Sequence, residues 1–267
     1  MKLKKPFYQR VFPTVFYTYC VAVFFLLIAP IFIVIPISFS SDQYLRFPPS
    51  GFSLQWYAKY FGSRQWMEAT FTSFEVAIGT AILATILGTM LAMVLVRAKF
   101  PGKGIVYSLA VSPMIVPLII TAIGIYFFYA KLKLVGSIPG LIAAHTVLAI
   151  PLVLILVMAT LKGFDETLEK AALSLGANPL QTFLHVTLPV IRPGVISGSL
   201  FAFIASFDEL IVVIFVAGTH AVTLPKKMWE SIREEIEPTI AAIATLLIVL
   251  SILLMVAIEL LRKKPGR

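Results

Sequence analysis

Apolar residues in this chain gather into six long runs, not into the strict alternation of strands or the one-sided stripes of surface helices. Each run holds about 20 predominantly apolar residues, enough to cross the hydrocarbon core of a bilayer as a helix. They lie at roughly Pro13 to Ile37, Thr70 to Val96, Gly104 to Tyr129, Pro139 to Leu161, Ile191 to Val216 and Pro238 to Leu261. The pattern predicts an all-α membrane protein of six transmembrane helices, with its transmembrane domain over 13–261 and short tails at 1–12 and 262–267. The first run is too long for a signal peptide and lacks a small-residue cleavage site, so it is read as an anchor.

One long polar interruption, 162–190, has a pattern of its own. Leu168, Ala171, Ala172 and Leu175 sit at i, i+3, i+4 and i+7 on one helical face, with Asp165, Glu166, Glu169 and Lys170 around the rest. Gly176 is placed to cap that helix in a left-handed conformation. Asn178 and Pro179 then read as the N-cap and first turn of a second short helix, with Leu180, Phe183 and Leu184 on its apolar side. The expectation is helix, sharp turn, helix, stopped by Pro189. A pair of helices like this could address DNA in a soluble protein. Between Lys162 and Pro189, however, two lysines face three acids, and that balance repels phosphate.

The spacing carries a resemblance. Ala171-Ala172, Gly176 and Ala177, then Val186-x-Leu188-Pro189, resembles the EAA loop of inner-membrane permease subunits of binding-protein-dependent ABC importers. The Glu that opens the family motif is Lys170 here, with Glu169 just before it. The resemblance implies the MetI-like permease fold, with 162–190 as a cytoplasmic coupling loop between helices 4 and 5 that docks on an ATPase. Glu169, Lys170, Ala171, Ala172, Gly176, Ala177, Leu188 and Pro189 would carry that coupling. The partners implied are ATP-binding cassette ATPase subunits, an extracytoplasmic solute-binding protein, membrane lipid and a second permease subunit, either a copy or, as preferred here, a different related chain. No nucleic acid is expected. No cofactor is expected on this chain, ATP and Mg belonging to the ATPase subunit.

Composition agrees with a membrane location. The 267 residues are 59% hydrophobic and 13% charged, with a mean hydropathy of +0.95, far outside the range of soluble domains. The net charge of +9 serves orientation, since basic residues gather on the cytoplasmic side. Summed over alternate connecting segments, Lys and Arg number 14 on the side holding both termini and the 162–190 loop, against 8 on the other. Both termini and the loop are therefore expected in the cytosol, and the resemblance implies that the chain lies in a bacterial inner membrane. Cys20 stands alone, so neither a disulfide framework nor a thiolate metal site is expected. His145, His185 and His220 are far apart, and there is no phosphate-binding Gly-x-x-x-x-Gly-Lys-Ser/Thr, His-Glu-x-x-His or Gly-x-Ser-x-Gly. The chain is read as no enzyme, and His145 as a hydrogen-bonded interior residue.

Within the spans, small residues recur every four positions at Gly194, Gly198, Ala202 and Ser206, and Ala77, Ala81, Ala84, Gly88 and Ala92 offer a similar face. Close approach at small residues drives helix packing in lipid, so these two spans are expected inside the bundle. Pro30, Pro36, Pro113, Pro117 and Pro151 predict kinked helices around a cavity. Trp56, Tyr57, Tyr60 and Trp66 read as an interfacial aromatic belt.

Glu75, Asp208 and Glu209 are acids inside spans, where an ionisable group costs at least about 2.5 to 3.5 kcal/mol. On a continuous fifth helix, Glu209 falls about 20° from the Gly198 line and Asp208 about 100° away. With Phe207 they are read as lining a path for a cationic solute; the alternative is a structural bond to a partner helix. Ser206 to Asp208, Thr223-Leu224-Pro225 and Pro238-Thr239-Ile240-Ala241-Ala242 are similar to permeases of the spermidine and putrescine importers. That similarity implies a polyamine solute, and related subfamilies leave opines, amino acids or aminophosphonates as alternatives. A stand-alone secondary transporter would show inverted repeats and midplane ion ligands, and the sequence has neither.

Overall fold

The computed structural model describes residues 7–234 and 236–262, with side chains over 13, 15–234 and 236–256. The described chain is helical throughout, apart from turns and one isolated antiparallel bridge between Ser40 and Phe52. It divides into two compact units, 1–63 with 231–253, and 64–230 with 254–267.

The first unit holds α1 (Phe7–Ser38), α2 (Gln55–Gly62) and the opening of α12 (Thr239–Arg262). α1 starts inside the stretch expected to be a tail. Most of its described apolar side chains are exposed, including Phe24, Phe25, Leu26 and Leu27, surface suited to lipid or another helix. The loop after α1 is tied down by aromatic hydrogen bonds. The Trp56 indole N–H donates to the Ser40 carbonyl at 2.8 Å, and the Tyr57 and Ser38 hydroxyls share a bond of 2.7 Å. Trp56 and Tyr60 are buried here, and Trp66 is buried in the second unit, so these three do not form the lipid-facing belt expected of them. Buried indole N–H groups need an acceptor, and the loop carbonyls after α1 supply one to Trp56. Lys59 and Glu237 close the unit with an ion pair of 2.6 Å.

The second unit is built on α3 (Arg64–Arg97), α6 (Ile138–Lys162) and α9 (Leu188–Phe207). The small-residue faces pack as predicted, and both address α6. A Cβ on Gly88 of α3 would lie 2.8 Å from Val153 Cβ, and one on Gly198 of α9 would lie 3.1 Å from Val153 Cα. Val153 is thus gripped from both sides, and Ala84, Ala92, Leu154, Val157 and Ala202 fill the same core.

The third span is far more than kinked. α4 (Lys103–Val111) and a single 3-10 turn (Ser112–Met114) meet α5 (Leu118–Leu132) at a bend of 101°. Pro117 lacks the N–H that would pair with the Pro113 carbonyl, and its own backbone turns out of the helical region at ψ 126°. Two prolines four apart thus remove the bonds of one turn and break the rod.

The fifth span departs from expectation at both ends. Pro189 does not stop the loop helix, since α8 (Pro179–Thr182), a π turn (Phe183–Thr187) and α9 run on as one helix of 29 residues, Pro179–Phe207. Proline clashes with the carbonyl four residues back, here that of His185, and the wider π turn relieves that clash. At the other end the helix stops at Phe207, resumes as α10 (Ile211–Val216), and leaves Asp208-Glu209-Leu210 irregular between them. The Glu209 carboxylate accepts the Val212 N–H at 2.9 Å, capping α10 as a new start in place of continuing α9. The angular placement of Glu209 and Asp208 on a continuous helix therefore does not hold. α11 (Leu224–Glu234) follows, its Leu224 N–H donating to Ser73 Oγ of α3 at 2.7 Å.

Candidate functional site

The 162–190 segment begins where α6 ends and carries α7 (Thr167–Ser174). Its local chemistry follows the sequence closely. Gly176 takes φ +93°, and the Asn178 side chain accepts the Gln181 N–H while the Gln181 side chain accepts the Asn178 N–H, a reciprocal capping box. Asp165 accepts the Thr167 N–H at 2.9 Å, and the hydrogen bonds from Thr167 hold its carboxyl below the usual carboxylate range.

Arg97, the last residue of α3, ties this segment to the bundle. Its guanidinium meets Glu166 at 2.7 Å and Glu169 at 3.2 Å, and lies 5.1 Å from the centroid of the buried Phe164 ring. Glu169 Oε1 also accepts the Thr187 hydroxyl at 2.6 Å. One arginine thereby fastens α7, while Glu169 passes the hold to the π turn at the foot of the long helix. Guanidinium suits this task because its planar fork serves two carboxylates at once.

The predicted coupling residues separate into two groups. Glu169 turns inward to Arg97 and Thr187, and Leu188 packs against the core of the second unit. Lys170, Ala171, Gly176 and Pro189 are exposed, and Ala172 and Ala177 are half-buried. Leu168, Leu173 and Leu175 are exposed as well, Leu175 at 89%. Among the described residues, Leu168, Ala171 and Leu175 of the predicted apolar face are uncovered and Ala172 is half-covered, while Leu173 is exposed on another side of the helix. Arg97 was legible in sequence only as one of the basic residues setting orientation, with nothing to mark it as the anchor.

The second cluster sits at the break after α9. Phe207 is buried, stacked on Phe203 at 5.7 Å and edge-on to Phe74 at 5.0 Å. Asp208 is exposed and Glu209 half-buried. Glu75, next to Phe74 on α3, is exposed. The Phe74 contact puts the two helices side by side, but among the described residues no hydrogen bond or ion pair joins Glu75 to Asp208 or Glu209. His145 is buried as predicted, its Nδ1 2.8 Å from Ser206 Oγ. No group of three His, Cys, Asp or Glu among the described residues could hold a metal ion.

Six candidate spans, an inter-span loop with this motif and a core of small-residue helices are the marks of a transport permease, and comparison decides which. Residues 84–267 match the family described as binding-protein-dependent transport system inner membrane component. The chain belongs to that family. It is a permease subunit of an ABC importer, a multi-pass inner-membrane protein. It is 31% identical over 258 residues to the spermidine/putrescine transport system permease protein PotC of Haemophilus influenzae, covering 97% of each chain. It is 34% identical over 232 residues to the putrescine transport system permease protein PotI of Escherichia coli, 84% of this chain and 82% of that one. A crystal structure of a bacterial ABC transporter involved in import of the acidic polysaccharide alginate superposes with a TM-score of 0.77 at 15% identity. That match covers 96% of this chain and 99% of the other, and it fixes the fold.

Proposed function

We propose that this permease carries a small cationic amine, of the class that includes spermidine and putrescine, from an extracytoplasmic binding protein to the cytosol at the expense of ATP hydrolysed by a partner subunit. The bias of Lys and Arg toward the side of the termini and the 162–190 segment supports a cytosolic position for all three. The observation that carries the coupling reading is the uncovered apolar face of α7 beside a single helix that runs from Pro179 to Phe207. At 1.5 Å per residue that helix is roughly 43 Å long. An ATPase seated on Leu168, Ala171 and Leu175 would press on one end of a rod whose other end is the Asp208-Glu209-Leu210 break. Nucleotide-driven closure then moves the break, and the ATPase's differing affinity for the two states supplies the bias.

The cationic reading rests on the acids. Glu75 and Asp208 lie exposed on membrane-spanning segments of this chain, and such groups face water or a protein partner in place of lipid. Carboxylates along a hydrated path raise the local concentration of cations and repel anions. The names of the curated relatives agree; the alginate importer shows that the fold alone does not set the cargo.

The test is reconstitution of the chain with its ATPase, partner permease and binding protein in vesicles, followed by uptake of labelled putrescine. ATP-dependent, saturable uptake is expected. Uptake by the chain alone without nucleotide would overturn the coupling reading. A complex that moves neutral or acidic solutes and ignores diamines would overturn the cationic one.

A further inference from the structure

Two interruptions of membrane-spanning helices open on one cavity of about 190 Å³. The turn after α4 contributes Pro113 and Met114, the end of α9 contributes Ser206 and Glu209, and α6 lays His145 and Leu148 between them. Non-helical backbone at membrane depth is tolerated where it lines a protein-enclosed or hydrated space, and broken helices are where transporters hold their solutes. The cavity is smaller than the roughly 300–1,000 Å³ of sites that enclose a drug-sized molecule. It has room for a group of a few heavy atoms, such as an aminoalkyl terminus.

His145 says what kind of end. Its side chain is 1% exposed, Nδ1 is bonded to Ser206, and Nε2 is buried with no hydrogen-bond partner. A buried polar atom left without a partner carries its full desolvation cost, so a ligand that fills the bond is favoured. In the tautomer whose Nδ1–H donates to Ser206 Oγ, Nε2 is an acceptor. Glu209 adds a carboxylate, whose capping bond to Val212 uses one of its several acceptor positions. Two acceptors, one of them anionic, with Met114, Leu118 and Leu148 as apolar walls, match a protonated primary amine on a methylene chain. An anion would meet the Glu209 charge.

We propose that this recess seats one primary ammonium terminus of the solute during passage, with Glu209 accepting its N–H bonds and His145 Nε2, which water does not reach in this conformation, accepting one when the recess opens around it. The proposal rests on the cationic-amine reading above. Assembled complexes in vesicles, with labelled putrescine as probe, test it. Glu209→Gln keeps the capping oxygen and removes the charge, and should raise the apparent KM about tenfold or more. His145→Leu should do likewise, and His145→Gln, which restores an acceptor, should recover most of the loss. Should His145→Leu fail to assemble, Glu209→Gln decides alone. A KM within twofold of the parent in Glu209→Gln overturns the recess while leaving putrescine transport standing. Absence of putrescine uptake by the parent complex overturns the cationic reading itself, and the recess with it.

Discussion

The loop after α6 and the break after α9 both gather charge next to a helix end, yet they treat it in opposite ways. At the loop, the carboxylates of Glu166 and Glu169 are paired with Arg97 and the Thr187 hydroxyl, although Arg97 Nε and Thr182 Oγ1 are buried without a partner, and Leu168 and Leu175 are left uncovered. At the break, the side chains of Asp208 and of Glu75 have no hydrogen bond or ion pair among the described residues, and His145 Nε2 is unpartnered. Satisfied polar groups hold geometry, whereas unsatisfied ones mark where something else is to bind. On the function proposed above, the loop is the piece that presents an apolar face to the ATPase, and the break is the polar surface that meets the solute. The 29-residue helix joins the two.

Removing the loop's anchor is the strongest way to break the contrast. Arg97→Ala leaves Glu169 half-buried beside Thr187 with no counter-charge. Losing one partner of a buried pair costs about 3–5 kcal/mol; here the cost is about 2 kcal/mol, since Glu166 is 54% exposed. ATP-driven uptake should fall by more than about tenfold, and the ATPase should co-purify less well. Arg97→Lys should recover only part, one ammonium being unable to serve both carboxylates as a fork does. Equal activity in Arg97→Ala would show that the clamp does not position the loop.

The rod itself can be tested at its packing. Gly198→Leu drives a side chain into the backbone of α6, 3.1 Å from where even a Cβ would sit. Overpacking of this kind costs roughly 1–3 kcal/mol, read as a lower melting temperature of the detergent-solubilised protein. At the break, Asp208→Asn removes an exposed charge without touching packing. Putrescine uptake at low concentration should fall about tenfold while assembly is kept; unchanged uptake kinetics would remove Asp208 from the path.

The sequence spoke most clearly where backbone chemistry is local. Gly176, Asn178 and Pro179 take the conformations their residue types demand, and the small-residue faces of α3 and α9 are buried because nothing larger fits against Val153. It was misleading wherever a helix could continue past a proline or stop without one. Pro189 looks like a terminator in a string, but a π turn absorbs it; Asp208-Glu209 lies in an apolar run, but a carboxylate capping a new helix outweighs one more turn of the old. Long-range pairing was invisible altogether. Arg97 and Glu169 are 72 residues apart, and nothing in either neighbourhood names the other, just as His145 and Ser206 carry no mark of their bond.

The smallest effect sharpens the claim that the loop's charges hold structure. Asp165 accepts the Thr167 N–H at the start of α7, and that bond lowers its carboxyl affinity for protons. A carboxylate depressed in the folded state stabilises fully above the ordinary carboxylate value, and loses that contribution as pH falls through its lowered one. Acidification into that range should therefore loosen the first turn of α7, seen as faster hydrogen exchange at Thr167 and Leu168 after correction for intrinsic rates, with the rest of α7 little changed. Asp165→Asn keeps an acceptor oxygen for the turn but cannot titrate, so its exchange at these amides should be flat across the same range. If parent and variant respond to acid alike, the Asp165 cap is not what limits α7 at low pH.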